Sequence, residues 1–472
     1  MTQVNRRSFL LNTASLAGAG LWPRIAWSDE EKPSPGEKTF VLNLHFGSSC
    51  SVSSGLVQPT SDRGWQNGFF VHGGPGQSAN PNLNVFEVKK PFVFTSYHRH
   101  LAQIAEDMCL VNGNSISLDH FEAFALQTQG SGRQGVTPEW VMAVAEHMVQ
   151  EKMINPLVIS QGYKTNSVQS IMNLWVGNFS DAIKFTSDSP FIGKNNDEIW
   201  TFVKERHLKA KLGPTQLSES AGNNLGHQLN ILLAGIPQFQ QLLKDGSHRD
   251  LSTKLSNANV AKLFQDHPDS AGISATFNNA VTGFMILAGM LAKSGAATGM
   301  TCRVLGEDHH GGGADVITAR RSSAIWAQIV TLWQWLKEQR LDRTTTILIT
   351  QEFGRTAYNR QSAEVNAVTR TGDAPLPIIC PGRDHQPIMG VVAINRNVPG
   401  NGSGARIGQV IDNLVPRPGT DLKGGYTDGK AYVSTDIVGS LLMRIYPNLF
   451  PTERLVRKHW PNFKEIELIT KS

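Results

Sequence analysis

Apolar runs of strand length alternate along this chain with longer stretches that have helical periodicity. The spacing of Val281, Phe284, Leu287 and Leu291 predicts a helix over 278–294, and Gly295 is a suitable C-terminal stop. A second apolar stripe predicts a long helix over about 317–340. Six runs predict buried strands: 40–46, 108–111, 157–160, 300–305, 346–350 and 389–394. This alternation predicts an α/β fold with a mainly parallel sheet.

The alternation also indicates where a ligand would bind. Ligands of such sheets lie at the carboxyl ends of the strands, so the residues after Phe46, Leu305 and Thr350 are the first candidates. The stretch of about 161–275 is polar and partly helical, and we interpret it as an insertion or cap. His98 and His100 flank Arg99 in a polar stretch, where we expect them to be solvated.

The N-terminal segment has the layout of an export signal. Asn5-Arg6-Arg7-Ser8-Phe9-Leu10-Leu11 opens a mildly apolar stretch that ends at the small-residue site Ala26-Trp27-Ser28. We therefore predict a twin-arginine signal peptide over 1–28, a linker over 29–38 and one domain over 39–472. The alternatives are an ordinary secretory signal or a chance pair of arginines. The twin-arginine machinery would be the export partner, and the mature protein would be periplasmic or secreted.

Charge and hydropathy exclude several classes of partner. The formal net charge is +5, of which Arg6, Arg7 and Arg24 in the signal contribute three. The small remainder does not favour nucleic acid or an anionic membrane as a partner. No later segment has ~18 uninterrupted apolar residues, so we expect no membrane span after signal removal. Of the four cysteines, Cys109 and Cys302 lie in strand-like runs and are expected to be free core thiols.

Three predicted loops at strand ends contain potential metal ligands. Gly306-Glu307-Asp308-His309-His310-Gly311 offers carboxylate and imidazole, the donor types that bind zinc, manganese or iron. Glu352 follows the next strand, with Arg355 three residues later. Gly382-Arg383-Asp384-His385 comes after a further loop. Each motif alone is weak, but their order and their position after strands favour a shared site.

These segments together resemble a widespread family of exported bacterial proteins, known as a domain of unknown function and similar to the alkaline phosphatase/sulfatase superfamily. The resemblance covers nearly the whole mature chain and is strongest over 278–395. It implies an alkaline-phosphatase-like three-layer sandwich with a partly helical insertion. It also implies a role for His120, in Leu118-Asp119-His120-Phe121. The metal ligands that it implies are Asp308, His310, Glu352, Asp384 and His385, beside His309.

The resemblance also suggests which residues contact the substrate, and it shows two departures. Arg355 and Arg383 would grip a phosphate or sulfate through paired hydrogen bonds. Ser54 stands where the related proteins have an aspartate, and it is a candidate nucleophile in a Ser/Gly loop that is equally typical of a plain turn. Phe353 stands where the superfamily has a histidine ligand, and a phenyl ring cannot bind a metal.

Two functional hypotheses follow. The first is an exported hydrolase that uses a divalent metal (zinc, manganese or calcium) to act on a small phosphate or sulfate ester, or on a sulfated or phosphorylated polymer. The second is a catalytically degenerate member of the same fold that serves as a secreted binding or assembly protein. An exported redox enzyme ranks last, because the sequence contains neither a Rossmann glycine fingerprint nor a haem-attachment motif.

Overall fold

The structure is a computed structural model of the 472-residue chain. It describes the residues 39–47, 55–56, 87–115, 117–131, 137–150, 157–161, 172–175, 241–242, 244–305, 314–355, 385–386, 388–400, 402–407 and 432–471. All of these belong to one compact unit, Pro33–Ser472. The predicted signal peptide (1–28) and linker (29–38) lie outside the described residues.

An eight-stranded mixed sheet forms the centre of the fold. Its strands are β1 (Phe40–Phe46), β4 (Met108–Asn114), β5 (Leu157–Gln161), β6 (Met172–Trp175), β7 (Gly299–Leu305), β8 (Thr345–Gln351), β11 (Ile388–Ile394) and β12 (Ala405–Ile407). Their spatial order is β12-β4-β11-β8-β1-β7-β5-β6. Five neighbouring pairs are parallel, and only the two pairs that β11 makes, with β4 and β8, are antiparallel. Two short hairpins accompany the sheet: β2 (Glu87–Lys89) with β3 (Phe92–Phe94), and β9 (Gly354–Arg355) with β10 (His385–Gln386).

Helices cover both faces of the sheet. They are α1 (His120–Gln129), α2 (Trp140–Gln150), α3 (Ser247–Lys254), α4 (Asn257–Val260), α5 (Ser270–Ala275), α6 (Asn279–Ser294), α7 (Ala314–Glu338), α8 (Ser434–Ile445), α9 (Glu453–His459) and α10 (Glu467–Thr470), with 3-10 turns at Ser96–Gln103, Ala105–Asp107 and Ala261–Phe264. Alternate residues of β1 point to opposite faces. Leu42, Leu44 and Phe46 pack in the core that α6 and α7 cover. Val41 packs in the core that α2 and α8 cover.

The predicted α/β fold with a mainly parallel sheet is confirmed. Each predicted strand is present, extended by at most a few residues, and both predicted helices form. Gly295 ends α6 with φ 63°, a left-handed conformation that glycine adopts without strain. Cys109 and Cys302 are buried thiols outside any disulfide, as predicted. Within the predicted insertion, Met172–Trp175 is an edge strand of the main sheet, and the part from 247 to 275 is helical.

One expectation about histidines was wrong. His98 and His100 are not solvated: both are fully buried in the 3-10 turn Ser96–Gln103. His98 satisfies its ring nitrogens with the hydroxyls of Thr95 (2.7 Å) and Ser322 (2.9 Å). These two hydrogen bonds reduce the free-energy cost of burying the imidazole of His98. The sequence does not indicate this burial, because the neighbouring residues are polar. Among the described helices, none combines the length and the apolar composition that crossing a membrane requires.

Candidate functional site

Three polar side chains form a row across the central strands near their carboxyl ends. In the parallel register, His45 of β1 is the partner of Arg303 on β7 and of Thr350 on β8. Paired residues of neighbouring parallel strands project from the same face of a sheet. The row lies on the face that Val41 shares, towards α1 and α2, and His45 meets Phe124 of α1 edge to face at 4.7 Å.

Glu352, the residue directly after β8, connects this row to α1. Its carboxylate is buried, with 2% of the side chain exposed. One oxygen, Oε2, lies 3.0 Å from Nδ1 of His120. The other, Oε1, lies 3.6 Å from Nε2 of His45 and 3.4 Å from a terminal nitrogen of Arg303. The carboxylate of Glu352 thus lies close to polar side chains from β1, β7 and α1.

Helix α1 brings His120 to the carboxylate because of how the helix begins. Asp119 is its N-cap, and the Asp119 carboxylate accepts hydrogen bonds from the backbone N–H groups of Phe121 and Glu122, both at 3.0 Å. Near the end of the helix, the Gln127 side-chain amide donates to the backbone carbonyl of Glu352 at 3.2 Å. Both ends of α1 therefore contact Glu352, one through the side chain of His120 and one through that of Gln127.

Burial and contacts set the charges of this cluster. Burial alone would raise the pKa of Glu352, but the contacts with His45, His120 and Arg303 outweigh it and hold that pKa below its usual value. Burial lowers the pKa of His45, and the attraction of Glu352 does not overcome this desolvation. At neutral pH the centre therefore holds an ionised carboxylate beside a neutral, buried imidazole.

These charges fix where protons lie. An ionised carboxylate only accepts hydrogen bonds, so His120 must present Nδ1–H to Glu352. In a neutral ring the lone pair then lies on Nε2, the atom through which histidine takes up a proton or binds a metal. His45 Nδ1 lies 3.1 Å from the Thr350 hydroxyl. If that hydroxyl donates, the ring proton of His45 is on Nε2 and faces Glu352.

Two predicted site residues meet in the strand pair that follows Glu352. Arg355 of β9 and His385 of β10 are register partners in the antiparallel hairpin. The backbone of His385 therefore lies beside a residue only three positions after Glu352, although His385 itself is thirty-three positions away in sequence. The backbones of β9 and β10 are therefore adjacent, and the convergence of the predicted side chains from Asp308 to His385 stays a prediction.

Six predicted site residues lie outside the described residues: Ser54, Asp308, His309, His310, Arg383 and Asp384. Phe353 is fully buried, and its ring packs 5.0 Å from that of His120. It contributes to the wall of the site and not to its chemistry.

The described residues supply donor types for a metal but not a full set. Imidazole and carboxylate suit a divalent ion such as zinc, and His120 and Glu352 provide one of each. In the described part of the chain, however, no three His, Cys, Asp or Glu side chains are grouped as they would be around one ion. A metal would need further ligands, and the predicted ones, Asp308, His310, Asp384 and His385, are those whose side chains the structure does not describe.

Sequence reasoning missed three members of the cluster: His45, Arg303 and Thr350. Each sits inside a strand, so each was interpreted as part of a buried run. The signal available was a histidine and an arginine within otherwise apolar strands, both near the carboxyl end. Only the strand register shows that they are neighbours.

Comparison with known proteins adds little. No protein-family model matches this chain, and no curated protein does. Among solved structures, the crystal structure of Ps i-CgsB, a carrageenan sulfatase, in complex with k-i-k-neocarrahexaose is similar at 9% identity and a TM-score of 0.24. The match covers 89% of this chain and 73% of that one. A similarity this weak supports no conclusion about the fold or the function of this chain.

Proposed function

We propose that this chain is an exported, alkaline-phosphatase-like hydrolase that acts on a phosphate or sulfate ester. The observation that carries the proposal is the contact between the buried carboxylate of Glu352 and His120 at the carboxyl edge of the central parallel strands. A carboxylate that fixes the tautomer of a histidine prepares the second ring nitrogen for proton transfer or metal binding. Ligand sites of parallel α/β sheets lie at this edge.

The proposed roles follow from the contacts. Glu352 holds His120 in one orientation, and Nε2 of His120, a buried atom of a side chain that is 32% exposed, is the atom that would meet the substrate or an ion. Arg355 and Arg383 would offset charge on the ester oxygens. If a divalent metal is bound, Glu352, His120, Asp308, His310, Asp384 and His385 would hold it. Its chemistry would be to polarise the ester and to activate a nucleophile, for which Ser54 is the candidate.

Substitution of Glu352 tests this function. Glu352→Gln keeps the shape of the side chain but removes the charge that orients His120. We expect kcat/KM on chromogenic phosphate or sulfate esters to fall by about 10²-fold or more, the usual contribution of a positioned acid or base. Glu338→Gln, at an exposed glutamate of α7, is the matched control and should keep full activity. Bound zinc, manganese, iron and calcium should be measured on the same preparations of the full-length protein.

The degenerate alternative, a secreted binding or assembly protein, also has an observation in its favour. Phe353 fills, completely buried, the place where the resemblance calls for a histidine ligand. This alternative predicts no turnover of any ester, at most a single structural ion, and a Glu352→Gln variant that differs from the wild type only in stability. Hydrolysis that is lost in Glu352→Gln and kept in Glu338→Gln excludes it.

A further inference from the structure

Arg303 is an unusual residue for its position. It lies in β7, a strand of the mainly parallel sheet, and all the remaining residues of β7 are buried. Its side chain is 40% exposed. A charged residue is uncommon in such a strand, and its exposure leaves the guanidinium accessible to a ligand.

The contacts of Arg303 hold the side chain in place without using most of its donors. A terminal nitrogen lies 3.4 Å from Oε1 of Glu352, and the guanidinium carbon lies 5.8 Å from the centre of the Phe124 ring. A guanidinium has five N–H donors in a planar fork. Within the described residues, Glu352 is the one polar partner that the structure gives this fork.

His45 provides a second, independent observation. The ring is fully buried, and its Nε2 has no hydrogen-bond partner within the described part of the chain. It lies 3.6 Å from Oε1 of Glu352, which is beyond hydrogen-bonding distance. Arg303 and His45 are register partners, and both approach the same carboxylate oxygen from neighbouring strands.

Most of the N–H donors of Arg303 therefore have no acceptor in the described part of the chain. Arg303, His45 and His120 converge on the two oxygens of one carboxylate, and only the His120 contact is short. In the tautomer of His45 with its proton on Nε2, in which the Thr350 hydroxyl donates to Nδ1, a ligand that completes these hydrogen bonds must bring acceptor oxygens. Arginine matches phosphate and sulfate through two parallel N–H···O bonds.

We propose that Arg303, assisted by His45, binds the anionic group of the ligand, a tetrahedral oxyanion such as a phosphoryl or sulfuryl group. This inference rests on the proposed function and specifies its substrate-recognition residue. Arg355 and Arg383 are not needed for it. Phosphate and sulfate share the geometry, and their relative affinities show which ester class the site prefers.

Calorimetric titration of the full-length protein with inorganic phosphate and inorganic sulfate tests the inference. Arg303→Gln removes the charge and the fork, and Arg303→Lys keeps the charge alone. We expect the affinity for the preferred anion to fall by about tenfold or more in both variants, because a point charge does not replace a bidentate contact. Arg454→Gln, at an exposed arginine of α9, should bind as the wild type does. Thermal melting of each variant shows that it is folded, and Arg303→Lys remains informative if Arg303→Gln does not fold.

Two results would overturn the inference: wild-type protein that binds neither anion, or Arg303 variants that bind as tightly as the wild type. In the second case Arg303 is only a counter-ion for Glu352. Failure of the proposed function gives a different result from these two, because the protein would then bind the anion through Arg303 but hydrolyse no ester. Hydrolysis with an unchanged KM in Arg303→Lys would refute the inference and leave the proposed function standing.

Discussion

At the scale of single residues, the hydroxyl of Thr350 is the hydrogen-bond partner of Nδ1 in the buried ring of His45. Both residues are fully buried, and Oγ1 of Thr350 lies 3.1 Å from Nδ1 of His45. Thr350→Val keeps the branched shape and the strand preference but removes this partner. A buried ring nitrogen left without a hydrogen bond costs about 1–3 kcal/mol. We therefore expect the free energy of unfolding, measured with urea, to fall by about that amount.

Thr350→Ser is the matched control, since it keeps the hydroxyl and removes only a methyl group. It should lose less stability than Thr350→Val, and it should preserve any activity that the valine variant loses. Equal stability of Thr350→Val and the wild type would show that the contact with His45 contributes nothing to the fold.

The residues of the site differ in how far the sequence predicts them. Glu352 directly follows a buried strand, so a carboxylate at this strand end was a candidate, although the motif alone is weak. His45 stands between Leu44 and Phe46, where one polar residue resembles an imperfection of a buried strand. Its role depends on the register of β1 against β7 and β8, and hydrophobic patterns constrain a strand's face but not its neighbours.

At the scale of elements, the N-terminal cap of helix α1 determines where His120 lies in the site. Asp119 caps the helix, and the next residue is His120, so the cap orders the turn that places this imidazole against Glu352. Asp119→Ala should reduce the free energy of unfolding by about 0.5–2 kcal/mol, the usual value of an N-cap. It should also weaken the function that His120 serves, because the first turn frays. Urea unfolding and ester turnover on the same samples measure both effects.

Asp119→Asn removes the charge but keeps a capping oxygen, so it separates the two explanations. We expect this variant to behave nearly as the wild type does, since asparagine caps about as well as aspartate. If the asparagine variant is as damaged as the alanine variant, the charge of Asp119 is responsible, and the helix cap does not position His120.

Elements with a regular period were predictable, and elements without one were not. The buried strands and the helices α6 and α7 follow from runs and stripes whose period matches the structure. The 3-10 turn at Ser96–Gln103 has no such signal, and its polar residues suggested solvent contact. Burial there depends on hydroxyl groups from distant segments, such as Ser322, which a local pattern cannot reveal.

At the scale of the whole molecule, the sheet order explains why the site lies where it does. β1, β7 and β8 are adjacent and parallel in the middle of the sheet, so their carboxyl ends meet at one edge. The sequence predicted a mainly parallel sheet because strands alternate with helices. It did not predict the order of strands, which depends on how the connections cross, and hence it could not show that Arg303 and His45 are neighbours.

Buried histidines also make the stability of the whole molecule depend on pH. Desolvation lowers the pKa of His100 to about 3, and of His147 and His267 to about 4. In the unfolded chain these rings titrate near a pKa of about 6.5. Between pH 6.5 and about 4 the unfolded state therefore binds protons that the folded state does not. The contribution of these histidines to the free energy of unfolding is fully present above about pH 6.5, and it decreases as the pH falls through this interval.

The pair of His147 on α2 and His459 at the end of α9 offers the sharpest test of this dependence. Their Nε2 atoms lie 3.1 Å apart, so one ring donates and the other accepts, and both cannot be protonated without repulsion. Desolvation is the largest effect on the pKa of both rings. Glu146 favours their protonated forms, and Lys458 opposes them.

His147→Gln removes one titrating ring, so the unfolding free energy of this variant should fall less steeply than that of the wild type between about pH 6.5 and 4.5. The difference should be up to about 1.4 kcal/mol per pH unit in urea titrations. Parallel stability curves for variant and wild type would mean that His147 is protonated as easily in the folded chain as in the unfolded one, which its burial beside a second imidazole contradicts.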